Sequence, residues 1–253
     1  MKKFLLILFF FLSACSPTDY SKIKVEKVID GDTIVLSTGE SLRYIGIDTP
    51  ESRIKKGNQF VYDPQPFAIE ATQLNKELVE GKSVRIEFDI DKKDRYGRLL
   101  GYCFVGDTFV NEKLTEEGYA VLYTYPPNIR YVDLLVQAQK KARQNNRGIW
   151  GVYKTINHKQ AGNYINQIRT VRGRVLNTYQ SNNCTYLNFG SDYKTDFTVV
   201  IFNNTLDYFH NEKINPVSFY KGKMIEVSGR IREYNGPEII VNSPEEIRII
   251  DQN

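Results

Sequence analysis

From residue 23 the chain alternates apolar and polar positions, with Ile23, Val25 and Val28 separated by charged residues, as in a strand with one buried face. The same reading predicts strands near 23–29, 33–37 and 41–47, a helix over 67–80, and strands over 83–89 and 98–105. The helix follows Pro66, carries Ala68, Ala71, Leu74 and Leu78 at helical spacing, and stops at Gly81. A short helix from Asn111 ends at Gly118, and a longer one, about 131–144, places Leu135, Ala138 and Ala142 on one face. Residues 152–167 hold no sustained period and read as a linker between units at 22–151 and 168–253. Beyond it come strands near 168–179, 184–189 and 195–202, a helix near 204–211, and strands near 223–233 and 237–242. Asn235-Gly236 joins the last two as a hairpin turn. Both halves therefore run strand-strand-strand-helix-strand-strand, the order of a five-stranded Greek-key OB barrel. The expected fold class is all-β-rich, two OB-like barrels in tandem, with extra helices on the first. No residue-level repeat links the two.

The amino terminus breaks this pattern. Lys2 and Lys3 precede nine uninterrupted apolar residues, Phe4 to Leu12. That run is far short of the roughly 20 residues a spanning helix needs, so it reads as a signal peptide over residues 1–14. It ends in Leu12-Ser13-Ala14-Cys15, which resembles a bacterial lipobox. Cleavage there would leave Cys15 to carry a diacylglycerol, and residues 15–21 would form a polar tether. The expectation is an exported protein, lipid-anchored to the cell envelope at an outer membrane or cell surface. Cys103 and Cys184 fall in apolar strands of different halves and read as buried free thiols.

Composition adds little. The chain has 253 residues, 41% hydrophobic and 25% charged, with a formal charge of +4, half of it from Lys2 and Lys3. Bulk charge selects no partner, so any argument must rest on placed residues. No protein partner is evident, and a monomer is expected. The only histidines, His158 and His210, lie outside the first half. A histidine-ligated zinc site or a Ser-His-Asp triad there is excluded.

Three clusters carry candidate chemistry: Asp30-Gly31-Asp32-Thr33, Arg43 through Glu51, and Asp94-Arg95-Tyr96-Gly97-Arg98. Each lies at a strand end, where a barrel gathers its loops. Asp32 and Asp48 supply carboxylates and Thr49 a carbonyl, hard oxygens that suit calcium. Glu51, just past Pro50, can take a proton from an attacking water. Arg43 and Arg98 offer planar forks to phosphate oxygens. Asp30 reads as a turn residue and Asp94 as a loop-orienting acceptor. Arg95 and Lys92-Lys93 read as a solvated face, Trp150 as a core plug, and Tyr96 as either packing or stacking.

These motifs, in this order and with Gly148-Ile149-Trp150 closing the half, resemble the thermonuclease family typified by staphylococcal nuclease, over about residues 23–150. The resemblance implies calcium at Asp32, Asp48 and the Thr49 carbonyl, Glu51 as base, and Arg43 and Arg98 on the phosphate. It also implies cleavage of DNA and RNA with little sequence preference, leaving 3′-phosphate ends, with Tyr123 and Tyr125 against the nucleotide. Between Ser52 and Gln65 the sequence departs from the staphylococcal enzyme. The alternative is a catalytically silent lipoprotein that holds nucleic acid. Proteins with retired nuclease sites usually lose an acid or an arginine, and here all five of Asp32, Arg43, Asp48, Glu51 and Arg98 are present. In the second half, Tyr179, Tyr186, Phe189, Phe197 and Tyr234 interleave with Arg172, Arg174, Arg230 and Arg232. Its segments resemble OB-like domains appended to bacterial nucleases, which implies accessory single-strand binding or else a structural or partner-docking role.

Overall fold

In the computed structural model, which describes residues 18–57 and 59–250, five strands of the first half close on one another. Residues 1–14, read from sequence as a signal peptide, and Cys15 lie outside the described residues. Strands β1 (Ile23–Val28), β2 (Thr33–Leu36) and β3 (Ser41–Tyr44) form an antiparallel meander. After β4 (Gly46–Asp48), the hairpin β5 (Arg53–Lys56) and β6 (Gln59–Tyr62), and helix α1 (Ala68–Val79), the chain returns through β7 (Ser83–Glu87) and β8 (Leu99–Val105). Strand β7 pairs with β1 and β8, and β8 runs parallel to β3 with Leu42 opposite Leu99, which closes the barrel. Its interior is apolar, with Val25, Ile34, Leu36, Leu42 and Cys103 all fully buried. Strand β9 (Thr108–Phe109), helix α2 (Val110–Glu116), strand β10 (Val121–Tyr123), helix α3 (Val132–Gln144) and the single turn α4 (Ile149–Val152) complete this half.

Helix α1 buries Ala68, Ala71, Asn75 and Val79 along one face. Apolar spacing alone points to Leu74 and Leu78, which are only partly buried at the edge of the core. Asn75 is tolerated inside because its amide is matched: Tyr44 Oη donates to Asn75 Oδ1 at 2.9 Å, and Asn75 Nδ2 donates to the Asp30 carbonyl at 3.0 Å. A buried amide thus fastens the β1–β2 turn to the helix. Asn111 on α2 does the same for the β3–β4 junction and β8, giving its Nδ2 to Ile45 O and accepting from Cys103 N.

The stretch that reads as a linker is ordered. It contains β11 (Ile156–Asn157), parallel to β12 (Ile168–Arg174), and a 3₁₀ helix over His158–Tyr164. Asn157 and Gln160 form a reciprocal capping box, and Ile156 and Ala161 enter the second hydrophobic core. Two apolar anchors set among polar neighbours make no period along the chain. The second half continues with β13 (Asn177–Gln180), β14 (Cys184–Asn188), β15 (Thr198–Phe202), α5 (Leu206–Asn211), α6 (Pro216–Phe219), β16 (Met224–Arg230), β17 (Arg232–Glu233), β18 (Pro237–Val241) and β19 (Ile247–Ile249). Strands β13, β14 and β15 pair antiparallel, β15 and β18 parallel, and β12 with β16 antiparallel from Ile168↔Arg230 to Arg174↔Met224. Cys103 and Cys184 are both free and buried. Among the described residues no helix is long and apolar enough to cross a membrane.

The halves meet on a small apolar cluster of Val121, Ile149 and Ile168, edged by Phe67, Trp150 and Tyr153. Trp150 packs there with the Arg143 guanidinium 4.3 Å from its ring centre, at the seam between units. Around this cluster polar groups also pair across the seam. Thr124 Oγ1 donates to Glu246, Arg143 donates to Ser228 Oγ, and Gln65 Nε2 donates to Asn166 O at 2.6 Å.

Candidate active site

The Asp30–Thr33 turn and the end of β4 are brought together because Gly31 has no side chain. A Cβ at Gly31 would lie 2.7 Å from Thr49 Oγ1 and 2.8 Å from Ala71 Cβ. That close approach lets Asp32 Oδ2 accept from Thr49 N at 2.9 Å and from Thr49 Oγ1 at 3.0 Å. Asp32 is thereby buried and fixed in direction.

Arg43, on β3, lies between the two aspartates. Its Nη1 stands 2.7 Å from Asp32 Oδ2 and its Nη2 3.0 Å from Asp48 Oδ1. Burial by itself would lower the Arg43 pKa, but Asp32, Asp48, Asp30 and Glu51 together raise it. The guanidinium stays charged. Asp30, in the same field, is pushed up to about 8, first by burial and then by the neighbouring Asp32 charge. Glu51 also has a raised pKa, mainly through burial, although its side chain is 45% exposed. An exposed edge on a carboxylate of raised pKa suits a group that must meet water and accept its proton.

Arg98 stands apart from this cluster. Its Nε donates to Asp94 Oδ2 at 2.8 Å, and Asp94 Oδ1 accepts from the Arg98 and Tyr96 amides. Asp94 is the loop-orienting acceptor expected from sequence. Arg98 immediately precedes β8, whose Leu100 is registered with Arg43 on the parallel strand β3. Tyr96 is largely exposed, with the Arg95 guanidinium 4.9 Å from its ring centre, so it is not packing.

The two tyrosines separate. Tyr123 lies opposite Gly46 in the β4–β10 pair, and burial raises its pKa within reach of the Asp48 and Arg43 charges. Tyr125 is exposed and lines a different groove, with Asn182, Asn183 and Phe202 of the second half. Thr124 between them turns into the seam.

One participant is not visible from the sequence as a site residue. Arg230, at the end of β16, reaches across the seam with a side chain only 14% exposed. Its Nη2 lies 2.9 Å from Asp48 Oδ2, 2.8 Å from Thr49 O and 3.4 Å from Glu51 Oε1. Its Nε donates to Asp48 Oδ2 at 3.1 Å, and its Nη1 donates to Gln65 Oε1 and Asn166 O. The alternation Ile225, Val227, Ile231 turns Glu226, Ser228 and Arg230 to the opposite face. That face reads as solvent-directed, and nothing local announces that the first half covers it. Other basic residues of the second half are also engaged, Arg172 and Arg248 with Glu226, and Arg174 with Gly222 O.

The donor set suits a hard cation: two carboxylates and a main-chain carbonyl, two of whose oxygens already converge on one positive nitrogen. A closed five-stranded barrel thus gathers acidic residues and an arginine at its strand ends. The comparisons with known proteins agree. Residues 41–152 match the family model described as "Staphylococcal nuclease homologue". The chain is 43% identical to a thermonuclease of Staphylococcus hyicus over 130 residues, 50% of this chain and 74% of that protein. It is likewise 43% identical to a thermonuclease of Staphylococcus intermedius, over 50% of this chain and 74% of that protein. With the endonuclease YncB of Bacillus subtilis (strain 168) it shares 41% identity, over 51% of this chain and 61% of that protein. The chain belongs to the thermonuclease family.

Proposed function

We propose that this protein is a calcium-dependent nuclease that hydrolyses the phosphodiester bonds of DNA, RNA or both with low sequence specificity. The observation that carries this reading is the convergence of Asp32, Arg43, Asp48, Thr49 and Glu51 at one end of the barrel, in a chain whose relatives are thermonucleases and an endonuclease. Asp32, Asp48 and the Thr49 carbonyl would hold calcium. When bound, the ion neutralises charge on the scissile phosphate. Glu51 accepts the proton of the attacking water, Arg43 and Arg98 hold the non-bridging oxygens, and the products carry 3′-phosphates. Tyr123 borders the nucleotide, and Tyr125 extends the contact toward the second half. The Tyr179 and Tyr186 rings stack at 6.2 Å on β13 and β14, Tyr179 largely exposed, which supports accessory binding of a single strand there.

The protein acts outside the cytoplasm, held to the envelope by a lipid on Cys15. Lys2, Lys3, the apolar run and Leu12-Ser13-Ala14-Cys15 support this. Cys15→Ser should release it from membranes with nuclease activity intact.

End-labelled oligonucleotides test the chemistry. The wild type should yield 3′-phosphate products, and Glu51→Gln should bind the oligonucleotide yet cut it slowly. Products ending in 3′-hydroxyl would contradict the cleavage chemistry, and a Glu51→Gln rate near wild type would contradict Glu51 as the base.

A further inference from the structure

Arg230 occupies the volume a bound cation would need. A calcium ion contacts its oxygens at about 2.3–2.6 Å. Arg230 Nη2 already lies 2.8 Å from Thr49 O and 2.9 Å from Asp48 Oδ2, and it also approaches Glu51 Oε1 at 3.4 Å. An ion seated on those two oxygens and the guanidinium cannot coexist. The guanidinium is a permanent positive charge, as any arginine is near neutral pH. The side chain is also held from outside the site, with Nη1 donating to Gln65 Oε1 and to Asn166 O. Gln65 in turn accepts from the Glu51 amide, so the contact reaches the backbone of the base.

The geometry points to Arg230 as a built-in competitor of calcium, through which the second half holds the nuclease site closed. Metal binding requires the guanidinium to leave Asp48 and Thr49. By reciprocity, each displaces the other by the same factor. A groove of about 500 Å³, lined by Glu51, Arg53, Phe60, Gln65, Asn166 and Arg230, opens beside the contact and gives the side chain somewhere to go. The active state is then one in which calcium or an arriving phosphate chain has replaced an internal cation. An arginine serving only to stiffen the seam predicts the opposite behaviour, because removing it would loosen the ligands and weaken metal binding.

The inference rests on the calcium reading of this site, so the experiment measures binding of calcium alone to the full chain by titration calorimetry, without nucleic acid. Asp48→Asn should abolish the binding. Arg230→Gln should bind calcium at least about tenfold more tightly than wild type. Arg230→Lys, which keeps the charge but loses the fork, should fall between them and gives the same sign should Arg230→Gln fold poorly. Equal or weaker calcium affinity in the Arg230 variants, with Asp48-dependent binding in the wild type, would overturn the competitor role and leave the calcium site standing. Absence of Asp48-dependent binding in every variant would overturn both.

Discussion

Arg230 and Asp48 are 182 positions apart in sequence, yet Arg230 Nη2 stands 2.9 Å from Asp48 Oδ2. Asp48 is thereby shared between two arginines, Arg43 on Oδ1 from its own barrel and Arg230 on Oδ2 from the second half. Each carboxylate oxygen of Asp48 faces a different unit of the protein. Any group that binds Asp48 through Oδ2 must therefore contend with the docking of the second half.

Arg43 and Arg98 should separate in stability. Arg43→Lys and Arg98→Lys should each lower kcat/KM at least about a hundredfold, roughly 2.7 kcal/mol, because the two-pronged hold on phosphate oxygens is lost. Only Arg43 bridges two buried aspartates, so Arg43→Lys should also lower the melting temperature. Arg98 pairs at the surface with Asp94, and its replacement should move stability by no more than about 0.5 kcal/mol. Parallel kinetics and thermal unfolding check this. Equal stability losses would mean that Arg43 does not organise the aspartates.

The Gly31 approach should be intolerant. Gly31→Ala places a methyl against Thr49 Oγ1 and Ala71 Cβ, and overpacking of this kind costs about 1–3 kcal/mol. Because the strain falls on the Thr49 side chain that holds Asp32, activity should fall further than stability explains. Urea unfolding beside kinetics at a temperature where the variant is fully folded measures both.

The seam should be sensitive to pH through Glu246. Burial pushes its pKa up to about 8, against the hydrogen bonds it accepts from the Thr124 side chain and amide, with Ser243 Oγ also facing it. A carboxyl whose folded pKa lies above its unfolded value contributes stability at low pH, and that contribution is lost as pH rises through the folded value. The loss attributable to Glu246 should fall between about pH 4.5 and 8. Asp30 and Glu51 are shifted in the same direction, so the diagnostic is the difference between wild type and Glu246→Gln. The variant should show a flatter decline of melting temperature over that range. Identical slopes would place the titration elsewhere.

Much of this architecture is legible in the sequence, for identifiable reasons. The strands of the first barrel alternate cleanly, and Asp32, Arg43, Asp48, Thr49 and Glu51 lie in short motifs at strand ends, so fold and cluster can be read together. Helix α1 is visible in the spacing and its buried face in part: Ala68 and Ala71 are buried as the spacing indicates, but Asn75 is polar and is stabilised inside by two hydrogen bonds that apolar spacing cannot register. The Arg53–Tyr62 hairpin has no such signal, since its described side chains are largely exposed and show no buried face. Arg230 reads in the sequence only as one basic residue among aromatics. Its role depends on which surface of the first half covers β16, a tertiary fact with no local signature.

The most direct test of the central claim is digestion of plasmid DNA by the purified protein with and without calcium. Cleavage should occur when millimolar calcium is supplied, stop when a calcium chelator is added in excess, and resume when calcium is restored. Digestion at the full rate in the presence of the chelator would contradict the account, because Asp32, Asp48 and the Thr49 carbonyl would then have no metal to hold.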